Sequence, residues 1–451
     1  MIRAAREQWL WTNWLVAALG VWLATAPFTF GYADDGPMAW NDVVSGFLLA
    51  VFALIGLRPT VRGDFCGRWG ACFVGIWLQF APLLLWAKEP AAYLGDTMVG
   101  AFAIGLMVLV PMMPGHAHHM AMMKPGPEIP PGWTYNPSSW LQRAPLIALG
   151  IAGWFVSRYL AAVQLGYIAP GTPGFAWEPF FGDGTARVLH SDVSQMWPIS
   201  DAGLGAAAYT FEALMGFMGA TTRWRTMPWM VAFFGILVIP LGVTHIVLVI
   251  LQPVVVGEWC TLCLVAAALM LIMIPLTVDE VVAMVQFMML ARWEGKPLWR
   301  TFWVGDTIAG GGPDDRTPGY GSKVAPMAGA MVWGISVPLT LLLSIGLGVW
   351  LMFAPAVFGT EGFAADSDHL VGALVLTIAA IATAEVVRPL RFANMLLALW
   401  LIGAPWFLEG GEPGNPGARW NDLVIGVALL AASIPRGRIR ETYGAWDRSI
   451  R

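Results

Sequence analysis

The chain has 451 residues, of which 57% are hydrophobic and only 12% are charged, with a net charge of −4 at pH 7. A soluble domain carries about twice that fraction of charged residues, and no basic stretch interleaved with aromatic residues points to nucleic acid. Nearly uncharged runs of about 18 residues or more recur along the chain, each long enough to cross the bilayer as a helix. The composition therefore predicts an all-α polytopic membrane protein.

Twelve apolar segments are predicted to span the membrane. Arg3 and Arg6 precede the first segment, which has no small-residue cleavage site, so we expect a spanning helix and not a cleaved signal peptide. In chain order the predicted segments are residues 8–31, 40–58, 69–88, 93–113, 144–168, 203–220, 227–251, 260–277, 327–355, 369–386, 392–408 and 420–434.

The connectors between these segments alternate in charge. Those rich in Lys and Arg are expected in the cytoplasm, and those between them are acidic or nearly neutral, as in "GYADDGP" and "GTEGFAADSD". This alternation predicts that both termini are cytoplasmic. Cys260 and Cys263 then fall on the outer side, whereas Cys66 and Cys72 fall at the inner end of the third segment. We expect the latter two to be buried small apolar side chains, unrelated to the outer pair.

A repeat occurs near both ends of the chain. The motif W-L-x-x-A-P precedes an outer loop and then D-x-x-x-G, which opens the next segment. The Asp is expected to cap that helix, and the Gly to let a neighbouring helix approach closely. A ligand site formed by the four Asp residues is the alternative. The motifs start at Trp22, Trp77, Trp350 and Trp400, and the paired residues are Asp42/Gly46, Asp96/Gly100, Asp368/Gly372 and Asp422/Gly426.

This pattern resembles the bacterial SPW-repeat membrane modules over about 1–113 and 327–440. The resemblance implies repeated helical hairpins and no chemistry.

The stretch "EWCTLCL" places Cys260 and Cys263 at the start of the eighth segment. Cysteines at positions i and i+3 share one helix face and can form a reducible disulfide. The helix dipole lowers the pKa of the thiol at the N-terminus and makes it the better nucleophile. The pair therefore predicts thiol–disulfide exchange, for which a membrane quinone is a natural electron acceptor. A clamp for a soft metal ion and an inert structural pair are the alternatives.

Residues 140–290 resemble the vitamin K epoxide reductase family, in the segments "SRYLAAVQLGYI", "SDVSQMWPISDAGLGAAAYTFEALMG" and "VVVGEWCTLCL". The resemblance implies a four-helix redox core in a bacterial inner membrane and a quinone cofactor, ubiquinone or menaquinone. It also implies that Cys263 faces the quinone and that Cys260 receives electrons from a periplasmic thioredoxin-like dithiol protein. The loop 169–202 contains no cysteine, so this partner is expected to reach Cys260 directly.

A rival hypothesis is a non-enzymatic scaffold, or an accessory subunit of a larger membrane complex, that keeps this fold without a full redox relay. The missing loop cysteines favour that hypothesis, and the retained C-x-x-C argues against it.

Arg158, Glu212 and His245 lie inside predicted spans, where ionisable groups are costly. Arg158 and Glu212 fall at equal depth on adjacent antiparallel segments, which predicts an ion pair. His245 falls near the depth of Cys263 and is read as the one intramembrane histidine. Arg158, Glu212 and His245 are candidate residues for quinone binding or proton transfer, and packing is the alternative role for each.

These features divide the chain into five parts: an N-terminal repeat module (1–113), a cytoplasmic linker (114–139), the redox core (140–293), a second cytoplasmic linker (294–326) and a C-terminal repeat module (327–451). In the first linker, "GHAHHMAMM" supplies imidazole and thioether groups that suit copper, so metal handling is a further alternative there. The outer loop of the core carries Asp183, Arg187, His190 and Asp192, which are candidates for covering the site or docking a partner.

Overall fold

The computed structural model describes residues 9–58, 60–109, 125–170, 172–173, 175–408 and 416–450. Within these ranges the regular structure is helical, and isolated β-bridges take the place of strands. The predicted all-α polytopic class is therefore confirmed.

Twelve helices in the described part of the chain overlap the twelve predicted segments. They are α1 Leu10–Phe30, α2 Gly36–Gly56, α3 Val61–Leu84, α4 Pro90–Ile104, α5 Trp140–Gln164, α6 Asp201–Gly216, α7 Pro228–Leu251, α8 Thr261–Trp293, α9 Leu339–Phe358, α10 Gly362–Ile381, α11 Ala393–Gly403 and α12 Pro416–Ser433. Shorter pieces are the π-helical turns Gly105–Leu109 and Gln252–Val256, the 3-10 turns Glu385–Phe392, Ala404–Trp406 and Gly444–Trp446, and the helices Gly184–Leu189, Arg223–Thr226, Leu298–Val304, Val324–Ala330 and Asp447–Ile450.

Nine helices among the described residues are long and apolar enough to cross a membrane. α3, α6 and α12 are not among the nine. α6 is only 16 residues long, and α3 carries the ion pair between Asp64 and Arg68 near its start. The multi-pass character is established by the nine, and the other three remain predictions as spans.

Several predicted helix boundaries differ from those of the structure, most of all at α9 and α8. The segment 327–355 does not form one helix: a turn at residues 331–334 follows the short helix Val324–Ala330, and α9 starts only after Pro338, which occupies its N-cap position. α8 continues to Trp293, although the prediction ends it at 277 before two acidic residues. Those residues are compensated inside the fold: Glu280 Oε1 lies 2.6 Å from Arg223 Nε, and the hydroxyl of Tyr135 donates to Asp279.

The glycines of the repeat allow the helices to touch, as predicted. A Cβ at Gly46 would lie 2.4 Å from the Gly20 carbonyl oxygen, and one at Gly100 would lie 2.5 Å from that of Gly75. In the C-terminal module, a Cβ at Gly372 would lie 2.7 Å from the Gly348 oxygen, and one at Gly426 would lie 2.9 Å from that of Ala398. A side chain at these positions would push each hairpin apart.

The prediction that the repeat Asp caps its helix is wrong. Each helix begins six residues earlier than its Asp, at Gly36, Pro90, Gly362 and Pro416, so the carboxylates lie in the second turn. Asp42 and Asp96 are fully buried instead, and Asn41 donates to both, at 3.0 and 3.1 Å.

Tryptophans of one repeat reach across to the residue before the Asp of the other. In the N-terminal module, Trp77 Nε1 donates to Asn41 at 2.8 Å, and a Cβ at Gly95 would lie 4.0 Å from the ring of Trp22. The C-terminal module repeats this arrangement: Trp350 Nε1 donates to Asn421 at 2.8 Å, and Trp400 Nε1 donates to Ser367 at 2.9 Å. These contacts support the structural role of the repeat.

The chain divides into two compact units. The first comprises Met1–Pro125, Gly150–Trp177 and Ser194–Ala220, and a cluster of Leu83, Tyr93 and Ala161 forms part of its core. The second comprises Gly126–Leu149, Glu178–Val193 and Thr221–Arg451. The second unit contains both cysteines of the C-x-x-C motif. The five-part division drawn from the sequence stays a prediction.

Candidate functional site: a disulfide at a helix N-terminus

Cys260 and Cys263 form a disulfide, with their Cα atoms 5.3 Å apart. Gly257 adopts a left-handed conformation (φ 74°) after the π-helical turn that ends α7, so the chain reverses and starts α8 a few residues later. Cys260 occupies the N-cap position of α8 with an extended backbone. Its own N–H donates to Gln252 Oε1 at 3.0 Å. The thiol pair therefore lies where the prediction placed it, on the first turn of a long apolar helix.

Residues 178–193, which we term the cover segment, lie across this helix end. Gly184 packs on the backbone of Trp259, where an added Cβ would lie 2.0 Å from the carbonyl oxygen. Arg187, one of the four loop residues singled out from the sequence, forms an ion pair with Glu258. As a result Cys260 has 0% of its surface exposed, whereas Cys263 is only partly buried.

Glu178 fastens the cover segment to α8. Its Oε2 accepts from the Thr261 N–H at 2.8 Å and from the Thr185 hydroxyl at 2.8 Å, and the Thr261 hydroxyl also donates to this carboxylate. Backbone N–H groups of Phe180 and Phe181 bond the same group at 3.1 and 3.2 Å. Burial opposes ionisation, but these hydrogen bonds outweigh it and lower the pKa of Glu178 to about 2.

Hydrogen-bond donors converge on the sulfur of Cys260. The Cys263 N–H lies 3.2 Å from this Sγ and the Thr185 hydroxyl 3.6 Å from it. Donors of this kind and the positive end of a helix stabilise a thiolate. In the reduced pair, Cys260 is therefore the sulfur better able to carry the negative charge, as the nucleophile that closes the disulfide again.

An aromatic cluster from the C-terminal module packs beside the pair. The ring of Trp259 lies 5.1 Å from that of Phe353 and 5.7 Å from that of His369, measured between centroids. Phe181 of the cover segment stacks on Phe353 at 6.4 Å. His369 Nδ1 lies 2.7 Å from the Met352 carbonyl oxygen.

Sequence reasoning missed this cluster because its members lie about 100 residues from the cysteines, in a module to which no chemistry was assigned. The reading of His245 as the one intramembrane histidine is also wrong. His369 is the first residue of the predicted segment 369–386 and lies inside α10 (Gly362–Ile381), so the sequence already offered a second histidine within a predicted span. One sequence feature points to His369: it directly follows the Asp of a D-x-x-x-G motif.

The predicted ion pair between Arg158 and Glu212 is wrong. The guanidinium of Arg158 lies over the rings of Trp154 and Tyr93, at 4.7 and 5.6 Å, and donates to the Met98 sulfur at 3.5 Å. Glu212 is 1% exposed, and neither of its carboxylate oxygens has a hydrogen-bond partner among the described residues. The Arg158 guanidinium therefore makes cation–π contacts with the nearby aromatic faces instead of an ion pair with the Glu212 carboxylate. A role for either residue at a quinone remains a prediction.

His245 lies half-buried in α7, with Nδ1 3.0 Å from the Leu241 carbonyl oxygen of the same helix. This contact agrees with the packing alternative, and its role at a quinone remains a prediction. Cys66 is exposed and Cys72 is buried, so the expectation of two buried thiols is wrong for Cys66. Six residues turn an α-helix by about 240° beyond a full circle, which places these thiols on different faces of α3.

The described residues contain no cluster of three or more His, Cys, Asp or Glu that could hold a metal ion. The histidines of the predicted cytoplasmic linker, His116, His118 and His119, lie outside the described residues.

In the described part of the chain, nine helices are long and apolar enough to span a membrane, and a covered disulfide lies at the start of one of them. These features define a class: a multi-pass membrane protein with a disulfide at a helix N-terminus. Residues 144–278 match the model of the vitamin K epoxide reductase family, and residues 10–110 and 339–435 match that of the SPW repeat domain. Both resemblances drawn from the sequence are confirmed. At the level of that family, the domain indicates a membrane thiol–disulfide oxidoreductase. No curated protein and no solved structure matches the chain.

Proposed function

We propose that the protein oxidises a dithiol partner outside the cytoplasm and passes the electrons to a membrane quinone, ubiquinone or menaquinone. The observation that carries this proposal is the Cys260–Cys263 disulfide on the first turn of α8, with two donors on the Cys260 sulfur. The proposed setting is a bacterial inner membrane, with both termini in the cytoplasm and the pair at the outer surface, as the charge alternation of the connectors predicts.

The exchange step uses residues of the chain alone. A thiolate of the partner attacks the disulfide, forms a mixed disulfide with one cysteine and releases the other as a thiolate. The second partner thiol then displaces the first cysteine, so the partner leaves oxidised and the pair gains two electrons, with two protons taken up from water. A quinone supplies the acceptor for this electron pair and these two protons. The apolar residues below the pair on α8, Leu264 and Ala267, suit such a ligand.

The two sulfurs differ in exposure, and our proposal assigns a different reaction partner to each. The family resemblance assigns the partner to Cys260, which the cover segment encloses completely. Reaching it requires residues 178–193 to lift from α8. Cys263 is partly exposed while the cover is closed. In our proposal the closed state therefore serves the quinone at Cys263, and the open state serves the dithiol partner, a thioredoxin-like protein, at Cys260.

The test is a redox titration of the pair in purified protein, followed by alkylation of free thiols with and without added quinone. We expect quinone to return the reduced pair to the disulfide. Cys260→Ala and Cys263→Ala should abolish exchange, and the matched controls Cys66→Ala and Cys72→Ala should not. If the wild-type pair stays reduced in excess quinone, the proposal fails and the scaffold hypothesis, which the cysteine-free loop favours, takes its place.

A further inference from the structure

Each repeat module buries an arginine at the same position of its repeat. Arg68 precedes Trp77 by nine residues, and Arg391 precedes Trp400 by the same number. Both side chains are enclosed, with 1% and 4% of their surface exposed. A guanidinium removed from water requires a negatively charged or strongly polar partner. The groups that bond each arginine therefore indicate whether the fold itself balances its charge.

The N-terminal module supplies this partner from its own chain. Arg68 Nε donates to the Asp64 carboxylate at 2.9 Å, one helical turn earlier on α3. The C-terminal module has Val387 at the position of Asp64. There the Nη1 of Arg391 donates to the Arg388 carbonyl oxygen at 3.1 Å, and its buried Nε has no hydrogen-bond partner among the described residues. The atom that a carboxylate bonds in one module is therefore the atom without an acceptor in the other.

The charged side chain that acts on Arg391 is another arginine. It is Arg436, which follows α12 and is exposed. Arg388 connects the two, because its Nη1 donates to the Arg436 carbonyl oxygen at 3.0 Å and its own carbonyl oxygen accepts from Arg391. Two guanidinium groups thus lie in one region, and in the described part of the chain no carboxylate pairs with Arg391.

Glu385 lies in the same 3-10 turn as Arg391, but its carboxylate is already bonded. It accepts from the N–H groups of Arg440 and Glu441, at 3.0 and 3.1 Å, and from the hydroxyl of Tyr443 at 3.2 Å. All three donors belong to the stretch that follows α12. The nearby acidic residue therefore holds this stretch in place, and an anion from outside the chain is needed to balance the two arginines.

Exposed apolar side chains flank both arginines. Leu390 and Phe392 stand on either side of Arg391, and Ile434 precedes Arg436 by two positions. The Arg391 guanidinium also lies 4.0 Å from the centroid of the Phe392 ring. The charge of the connectors predicts that this side of the membrane is cytoplasmic. An amphiphile with an anionic head fits both the positive charge and the apolar rim, whereas free phosphate fits only the charge.

We propose that Arg391 and Arg436 bind the phosphate group of an anionic phospholipid at the start of α11 and the end of α12. A guanidinium presents paired N–H donors that match phosphate oxygens, and basic pockets between spanning helices on the cytoplasmic side bind such head groups. The N-terminal module is expected to lack this site, because Asp64 already pairs with Arg68. The lipid site is independent of the thiol pair and of the proposed quinone reaction.

The first experiment measures lipid binding to the full-length wild-type protein by native mass spectrometry in a neutral detergent. Phosphatidylglycerol and phosphatidylcholine are titrated separately. We expect phosphatidylglycerol to bind about tenfold more tightly or better, and millimolar inorganic phosphate not to displace it. Equal affinity for the two lipids would overturn the proposal. Displacement by inorganic phosphate would show a site for the free anion and would overturn the assignment to a lipid.

The second experiment changes the site. Arg391→Gln is expected to weaken phosphatidylglycerol binding by about tenfold, because a charge-assisted hydrogen bond to the phosphate is lost. Val387→Asp supplies the carboxylate that the N-terminal module carries and should weaken binding by a similar factor. The matched control is Arg62→Gln, an exposed arginine in the corresponding connector of the N-terminal module, which should bind as wild type. Wild-type affinity in Arg391→Gln, or an equal loss in Arg62→Gln, would refute the proposal.

The third experiment locates the lipid without any variant, so poor folding of Arg391→Gln does not remove the test. Hydrogen–deuterium exchange of the wild type is compared between nanodiscs of phosphatidylcholine and nanodiscs in which half of this lipid is replaced by phosphatidylglycerol. We expect slower exchange in peptides covering 385–392 and 434–440 when phosphatidylglycerol is present. Slower exchange confined to other segments would overturn the assignment of the site.

Discussion

At the residue scale, Glu178 holds the cover segment against α8, where it encloses Cys260. Its carboxylate is bonded by both the backbone and the hydroxyl of Thr261 and by the hydroxyl of Thr185. Glu178→Gln replaces one acceptor oxygen by an NH2 group, which faces donors it cannot bond. We expect the cover segment to lift more often and a water-soluble phosphine to reduce the disulfide faster. An unchanged rate of disulfide reduction would show that Glu178 does not hold the cover segment closed.

The pH dependence gives a second readout of the same carboxylate. Because the pKa of Glu178 falls from its ordinary value of 4.5 to about 2, its ionisation stabilises the closed cover fully above 4.5 and loses that effect only as the pH falls towards 2. Phosphine access in the wild type should therefore stay low from pH 8 to about pH 5. Glu258→Gln is the control, since it removes only an ion pair with the exposed Arg187, which contributes little.

At the scale of the helical elements, Asn41 joins the two hairpins of the N-terminal module. It accepts from Trp77 and donates to Asp42 and Asp96. Asn41→Ala removes the amide donor of the fully buried Asp96, whereas Asp42 still accepts from Tyr32 at 2.6 Å. We expect a loss of about 1–3 kcal/mol in unfolding free energy, measured by thermal unfolding in detergent. Trp77→Phe removes one of the bonds and should cost less. Equal stability of Asn41→Ala and wild type would contradict this role.

Hydropathy predicted that these helices exist, because a bilayer demands long apolar runs. It did not predict their ends. α8 extends through Asp279 and Glu280 because residues distant in sequence compensate both carboxylates, and such partners cannot be read from a local window. The cysteine motif could be placed from its spacing and local setting alone, whereas the enclosure of Cys260 depends on where Gly184 and Thr185 fold back.

At the scale of the whole molecule, a polar network around Glu280, in the second half of α8, joins separate stretches of the second unit. Glu280 is buried and bonds Arg223 twice, at 2.6 Å each, and it also accepts from the hydroxyl of Ser138. Glu280→Gln leaves the buried Arg223 without its charge partner, so we expect a loss of about 3–5 kcal/mol in unfolding free energy. Thermal unfolding of the variant and the wild type measures this loss.

The control for this prediction is a double-mutant cycle. Arg223→Met combined with Glu280→Leu should destabilise the protein by less than the sum of the two single changes, because neither charge is then left alone. Additive effects would show that the pair is not coupled.

The crossed tryptophan contacts of the repeats bear on the ancestry of the chain. A hairpin that pairs with an identical copy must carry the same residue on both sides of the contact, whereas copies fused into one chain are free to differ. Here the N-terminal module has Asn41 on one side and Gly95 on the other, and the C-terminal module has Ser367 and Asn421. The asparagine stands in the first hairpin of one module and in the second hairpin of the other. Because the copies are joined in one chain, the two halves can differ at these contacts, and a histidine follows the Asp only at His369, whose ring packs against Trp259 beside the disulfide.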